Sequence, residues 1–170
     1  MKVRDLMSFP VFTCQQQDSL ATAAGLLWEK DCGILPVVDG NGRVAGTITD
    51  RDICMGAYSR GERLADLKVS GSMSRRIISC RADDDIAVAA SRLAEHQLRR
   101  LPVIDEHGTP CGVISMNDFA IAAANDSRIG KEALRVLMAS CKHRIEVPVV
   151  IPAASLATAE PRAKAVSVGS

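Results

Sequence analysis

The sequence predicts an α+β fold in which one β-α-β-β-α unit is built twice. Three observations carry that expectation. Residues 69–123 fall on residues 3–57 without a gap, so that Val3, Met7, Ser8, Cys14, Asp18, Leu27, Leu35, Pro36, Val37, Gly46 and Asp52 meet Val69, Met73, Ser74, Cys80, Asp84, Leu93, Leu101, Pro102, Val103, Gly112 and Asp118. Within each copy the apolar spacing alternates between helical and strand-like patterns. The 170 residues are 47% hydrophobic but only 3% aromatic, so the expected core is Ala, Val, Ile and Leu. A unit of roughly 60 residues hides too little surface alone, and side-by-side association of two such units is the natural remedy.

Each copy opens with a short turn, Val3–Met7 or Val69–Met73. A β-branched run follows, Val11–Cys14 in the first copy and Ile77–Cys80 in the second. Asp18-Ser19 and Asp84-Asp85 are N-cap candidates for a helix. Leu20, Ala23, Ala24, Leu27 and Trp28 share its apolar face, as do Ile86, Ala89, Ala90 and Leu93 in the second copy. Trp28 on that face reads as a core or dimer contact. Two strands joined by Asp39–Gly42 or Asp105–Gly108 come next, with Gly supplying the positive φ of the turn. Pro36 and Pro102 lack a donor, which places them at a strand's beginning or on an edge. A second helix starts near Asp50 and Met116. The units are expected over 1–60 and 61–126. A third helix is expected over 127–145, with Ile129, Ala133, Leu134, Leu137, Met138 and Cys141 on one face, and a flexible tail over 146–170.

A net charge of +1 with acid and base interspersed predicts no basic face for nucleic acid or anionic lipid. The N-terminus has no apolar signal segment and no stretch reaches membrane-spanning length, so the cytoplasm is expected. Six cysteines stand apart without a CxxC or zinc spacing, and Cys14 and Cys80 read as buried free thiols rather than as a redox or metal site. His96, His107 and His143 have no partner at ligand spacing and read as surface residues. No nucleophile has an adjacent base, and no Gly-rich phosphate loop is present. The sequence therefore predicts no enzyme and no required cofactor.

Two heptads carry what chemistry remains, Gly46–Asp52 and Gly112–Asp118, each at a strand-to-helix junction. Thr49 or Ser115 falls at the N-cap and the aspartate three residues on, which is also an ordinary capping arrangement. The same geometry makes a phosphate site, because the first N–H groups of a helix are free and the hydroxyl adds a donor. An aspartate one turn in is suited to accepting both hydroxyls of a ribose, and the glycine at the head of the motif is expected to leave room for a ligand ring.

The motif Gly-x-hydrophobic-Thr/Ser-x-x-Asp, preceded by Leu-Pro-Val-hydrophobic-Asp and present twice, resembles the CBS domain, which occurs in tandem as a Bateman module. The resemblance covers about residues 1–124. It implies two units related by a pseudo-twofold axis, with two clefts that bind adenosine-containing ligands such as AMP, ADP, ATP or S-adenosylmethionine. Carried over by position, it implies that Asp52 and Asp118 hold ribose and that Thr49 and Ser115 contact ribose or phosphate. Phe12, Thr13, Ile78 and Ser79, with the backbone beside Pro36 and Pro102, are then expected to line adenine pockets. The copies differ in charge: Arg51 stands where the second has Asn117, and Arg100 where the first has Ile34. The resemblance implies that the position two before the proline faces phosphate, so Arg100 is expected to give the second-repeat cleft the tighter anionic grip, unless it is part of a solvated pair with Arg99. The leading expectation is a regulatory sensor, a homodimer paired through the helices of both repeats, acting on a separate effector protein. Its rivals are a scaffold with vestigial clefts working through its dimer and C-terminal surfaces, and a cysteine-based redox sensor.

Overall fold

The fold is seen in a computed structural model, which describes residues 1–125 and 129–142. Expectations for His143, for the end of the third helix and for the tail over 146–170 lie outside the described residues. The first repeat contains β1 (Cys14–Gln15), α1 (Leu20–Glu29), β2 (Leu35–Val38), β3 (Val44–Ile48) and α2 (Asp50–Arg60). The second contains β4 (Cys80–Arg81), α3 (Ile86–Glu95), β5 (Arg100–Ile104), β6 (Pro110–Ser115) and α4 (Met116–Asn125), and α5 (Gly130–Lys142) follows. The result is two three-stranded sheets, ordered β1-β2-β3 and β4-β5-β6, with helices against them. In both, the first pair is parallel and the second antiparallel, with Leu35 opposite Ile48 and Leu101 opposite Ile114.

The hairpins repeat down to the atom. Oδ1 of Asp39 accepts the N–H groups of Asn41 at 2.8 Å and Arg43 at 3.0 Å. Oδ1 of Asp105 accepts those of His107 at 2.9 Å and Thr109 at 2.8 Å. The Thr109 N–H leads in holding the Asp105 carboxyl below the usual carboxylate range. Gly42 and Gly108 take φ of 75° and 84°, which side chains disfavour. Pro36 and Pro102 sit near the start of central strands, and the parallel partners β1 and β4 begin pairing one residue later, at Val37 and Val103.

Several expectations need correction. β1 and β4 are two residues long, and residues 11–13 and 77–79 are not strand. Leu20, Ala23 and Leu27 are buried, but Trp28 is 87% exposed, so it is not a core residue of this chain. At the helix starts, Ser19 caps α1 by accepting the Thr22 N–H at 3.0 Å, whereas the Asp85 side chain caps nothing. Asp18 and Asp84 instead accept the N–H groups of Gln15 and Arg81, tightening the turn before each helix. On α5 the buried residues are Ala133 and Val136, continuing from Ile129, while Leu134, Leu137 and Met138 form a second, exposed stripe. α5 packs on α3 and α4; among the described residues nothing comparable covers α1 and α2.

The feature that positions the site is an exchange. Val3 and Arg4 donate their N–H groups to Asp84 and Ala82 of the second repeat, at 2.9 and 3.0 Å. Val69 and Ser70 do the same to Asp18 and Gln16 of the first, at 2.9 and 3.0 Å. Ser8 then pairs with Val113 beside β6, and Ser74 pairs with Thr47 beside β3. Each repeat thus lends its opening turn to the other's core: Val3 is packed among second-repeat residues and Val69 among first-repeat residues, both 0% exposed. Here Gly46 and Gly112 find their reason. A Cβ at Gly46 would run into the Ser74 carbonyl oxygen, and one at Gly112 would lie 2.7 Å from the Met7 sulfur and 3.2 Å from the Ser8 oxygen. The expectation that these glycines make room for a ligand ring is corrected: they make room for the exchanged chain.

Val3→Ala removes two methyl groups from a fully buried site and is expected to cost about 2 kcal/mol in stability. Hydrogen exchange locates the damage. Amides of 86–119 should lose protection more than those of 14–53, and the reverse order would show that Val3 does not belong to the second core.

Candidate functional site

Both second helices start with the same closed ring of hydrogen bonds. At α2 the Thr49 Oγ1 accepts the Asp52 N–H at 3.3 Å, while Asp52 Oδ2 accepts the Thr49 N–H at 2.9 Å and its hydroxyl at 2.7 Å. At α4 the corresponding distances for Ser115 and Asp118 are 3.3, 2.7 and 2.6 Å. This is a capping box with aspartate in the third helical position, and it explains the sequence spacing without any ligand. Yet it occupies only one oxygen of each carboxylate for capping. Oδ1 of Asp52 has no hydrogen bond among the described residues, and Oδ1 of Asp118 accepts one from the Ser8 hydroxyl at a long 3.3 Å. Both carboxylates are half-buried rather than turned out into solvent.

Each carboxylate borders a hollow made by both repeats. The Asp52 cleft has a volume of about 520 Å³. Thr49, Arg51 and Asp52 line one side, facing Arg76, Ile78, Arg99, Arg100 and Pro102 of the second repeat and Ile34 of the first. The Asp118 cleft, about 380 Å³, sets Ser115, Asn117 and Asp118 against Phe12, Gly33 and Ile34, again with Arg100. Both volumes fall within the range of about 300–1,000 Å³ typical of small-molecule sites. Phe12 presents a ring there, and the Lys30 ammonium lies 5.4 Å from its centroid in a cation–π contact.

Most of the residues singled out from sequence converge. Thr13 and Pro36 line neither cleft, and Ser79 lines a neighbouring hollow near Arg92. The charge is distributed otherwise than expected. Arg100 is not the property of one cleft but borders both, and Arg51, Arg76 and Arg99 stand on the Asp52 side. Arg76 and Lys30 escaped the sequence reading. Arg76 carried a signal nonetheless, since it lies two residues before Ile78, whose place in the repeat Phe12 shares.

The other candidate chemistry is poorly supported by its surroundings. Burial, aided by Asp18 and Asp84 respectively, pushes the Cys14 and Cys80 thiols up to about 12, and neither lines a cleft with Asp52 or Asp118. Among the described residues no group of three His, Cys, Asp or Glu side chains is placed to hold a metal ion. Among them, too, no helix is long and apolar enough to cross a membrane.

Comparison with known proteins adds a lineage to this geometry. A family model of the CBS domain matches residues 3–56 and 64–125. The chain is 30% identical over 128 residues to the CBS domain-containing protein YhcV of Bacillus subtilis, a match covering 75% of this chain and 89% of that protein. It is 34% identical over 117 residues to a homoserine O-acetyltransferase of Methanococcoides burtonii, but that match takes in 69% of this chain and only 23% of the enzyme. Among solved structures, a CBS-domain containing protein of Agrobacterium tumefaciens is 27% identical, with a TM-score of 0.64 over 72% of this chain and 98% of that one. The CBS domain pair of protein MJ0100, in complex with 5′-methylthioadenosine and S-adenosyl-L-methionine, gives a TM-score of 0.67 at 24% identity, covering 74% of this chain and 97% of that one.

Thiol reactivity follows from the burial. At pH 8 a thiol with a pKa near 12 is ionised to roughly one part in ten thousand, and the thiolate is the reacting form. Iodoacetamide at that pH is expected to alkylate exposed Cys54 while Cys14 and Cys80 stay unmodified in the folded chain, as read by mass spectrometry. Labelling of Cys14 or Cys80 at the rate of Cys54 would restore the redox reading.

Proposed function

The chain belongs to the CBS-domain family, and from that premise we propose that it is a regulatory module taking up an adenosine-containing ligand between its repeats. One observation carries the reading. At the Asp52 cleft a helix N-terminus, an arginine-rich wall and a carboxylate with one uncommitted oxygen open onto a single hollow. These are the complements of a phosphate and of a ribose diol. Charge-assisted hydrogen bonds of this kind are the strong ones, so Asp52 and the arginines are the residues expected to dominate affinity. The apolar side chains of Ile34 and Ile78 then offer the base its flat contacts, as Phe12 and Ile34 do in the Asp118 cleft. The adenosine compounds bound by the MJ0100 domain pair support the ligand class.

Regulation requires that the ligand bind one arrangement of the molecule better than another, since it shifts the equilibrium only by that difference. A cleft built from both repeats meets the requirement. AMP, ADP, ATP and S-adenosylmethionine are the candidate ligands, and the effector is a separate protein in the cytoplasm. No residue is assigned a catalytic role. The enzymes among the relatives are matched over a small part of their length, and their activities are not carried over.

The partner surface follows from α5. Because α5 packs over α3 and α4, a second copy is proposed on the α1–α2 side, which no helix of the described residues covers and where Trp28 is 87% and Tyr58 80% exposed beside half-exposed Met55. This differs from a dimer that uses the helices of both repeats equally.

Calorimetric titration with the four compounds is expected to show binding of at least one. Asp52→Ala should weaken it about tenfold or more, the effect of losing a charged hydrogen-bond acceptor. Absence of binding at millimolar concentration would reject the ligand reading in favour of a scaffold with vestigial clefts. For the partner surface, Trp28→Glu with Tyr58→Glu should convert a dimer to a monomer by sedimentation. A wild-type chain that sediments as a monomer would remove the surface.

A further inference from the structure

The pseudo-twofold relation between the repeats gives each functional position a counterpart, and at one of them the symmetry fails in a consequential way. Position 100 is arginine and its counterpart, position 34, is isoleucine. Both Ile34 and Arg100 line both clefts, which adjoin at these two residues. In a chemically symmetric pair each cleft would own a cation at this level. Here one guanidinium stands where two clefts need one.

The structure leaves that guanidinium between them. The backbone of Arg100 lies opposite Ser115, the residue that caps α4 above the Asp118 cleft. Its side chain crosses to Gly33 of the first repeat, where a Cβ would come within 2.5 Å of the guanidinium carbon. Gly33 thus admits the arginine to the divide. No hydrogen bond or ion pair among the described residues holds the guanidinium there, and the residue is exposed, so it is free to turn to either side. A guanidinium bidentate to one phosphate has directed its donors to that phosphate. A second phosphate in the adjoining cleft meets a site stripped of its best donor, and in addition meets the first ligand's negative charge.

We propose that Arg100 is shared between the clefts, so that a phosphorylated ligand in one weakens the binding of a phosphorylated ligand in the other. The Asp52 cleft fills first, because Arg51, Arg76 and Arg99 already stand on its side. The Asp118 cleft follows more weakly, since its other cation, Lys30, lies over the Phe12 ring. Coupling of this kind is reciprocal: whatever one cleft loses on occupation of the other, the other loses too. A chain so built responds to its ligand over a wider concentration range than two independent sites of one affinity. It also distinguishes charged from uncharged adenosine compounds, since only the former compete for the guanidinium.

The proposal rests on the nucleotide reading above, and a mutant cycle separates the two. AMP is titrated calorimetrically into wild type, Asp52→Ala, Arg100→Ala and the double variant. Disabling the Asp52 cleft frees Arg100 for the other, so the Asp118 cleft of Asp52→Ala should bind AMP about tenfold tighter than the second step of wild type. That gain should vanish when Arg100→Ala is added. It should be absent for adenosine, which carries no phosphate. Asp52→Asn, which keeps a capping oxygen, replaces Asp52→Ala if the alanine variant unfolds. Equal affinity of the wild-type second step and the Asp52→Ala step would overturn the sharing while leaving the nucleotide reading intact. So would a gain that survives Arg100→Ala. No heat of binding from AMP or the other adenosine compounds in wild type would instead remove the nucleotide reading, and this inference with it.

Discussion

The close approach of one repeat's backbone to the other's strand is the constraint on which the rest of the molecule depends. Ser74 lies against Gly46 and Ser8 against Gly112, in both cases where a single methyl group would intrude. From those two contacts the chain runs into the neighbouring repeat and seats Val3 and Val69 in cores built mainly by the other copy. Neither repeat closes by itself. Duplication here is a way of completing a fold, since each half supplies the piece that its twin lacks. The clefts are a by-product of this arrangement. Having exchanged their opening turns, the repeats must pass residues 8–12 and 74–78 across each other's helix N-termini, and that passage forms one wall of each hollow.

The capping boxes show how a structural device becomes available for recognition. Thr49 with Asp52, and Ser115 with Asp118, satisfy the first orphan donors of α2 and α4, as many helices do. What separates these from an ordinary cap is location and arithmetic. Each sits at the rim of a cavity, and each uses a single oxygen for the helix. With one oxygen committed to the cap, and the other unbonded at Asp52 and only loosely bonded to Ser8 at Asp118, the carboxylate is held by its own fold before any ligand arrives. Preorganisation of this kind reduces the ordering cost of binding. It also means that substitution of either aspartate acts on helix stability and on recognition at once, so the two effects have to be measured separately.

Local features were largely legible in the sequence. Asp39–Gly42 and Asp105–Gly108 announced their hairpins because turn geometry is decided within four residues, and the N-cap roles of Ser19, Thr49 and Ser115 followed from one turn of helix. Features that join distant segments were not. Gly46 and Gly112 look like space for a ligand until the exchange places another stretch of backbone there. Trp28 continues the apolar spacing of Leu20 and Leu27 and still faces outward, because a helix of alanines approaches its sheet closely and buries only a narrow stripe. In α5 two stripes run side by side, and sequence periodicity does not say which one meets α3 and α4. Arg100 was recognisable as a cleft residue, but its place between two clefts arises from packing across the divide at Gly33. Even the residues of the clefts came as a set without its partition: Asp52 faces Ile78 and Asp118 faces Phe12, each pairing across repeats.

The added helix gives two halves of like architecture unlike mechanical character. Ile129, Ala133 and Val136 extend the second core and cross-brace α3 to α4, while among the described residues the first core gains only the exchanged turn at Leu67, Val69 and Met73 and no further helix. Regions with more buried apolar contact open less readily, so the braced half is the stiffer of the two. A ligand bound between them would therefore press a more compliant half against a braced one, and any displacement would be carried by the α1–α2 half. An apparently symmetric pair would thereby acquire a direction, with force entering at the seam and delivered to one end.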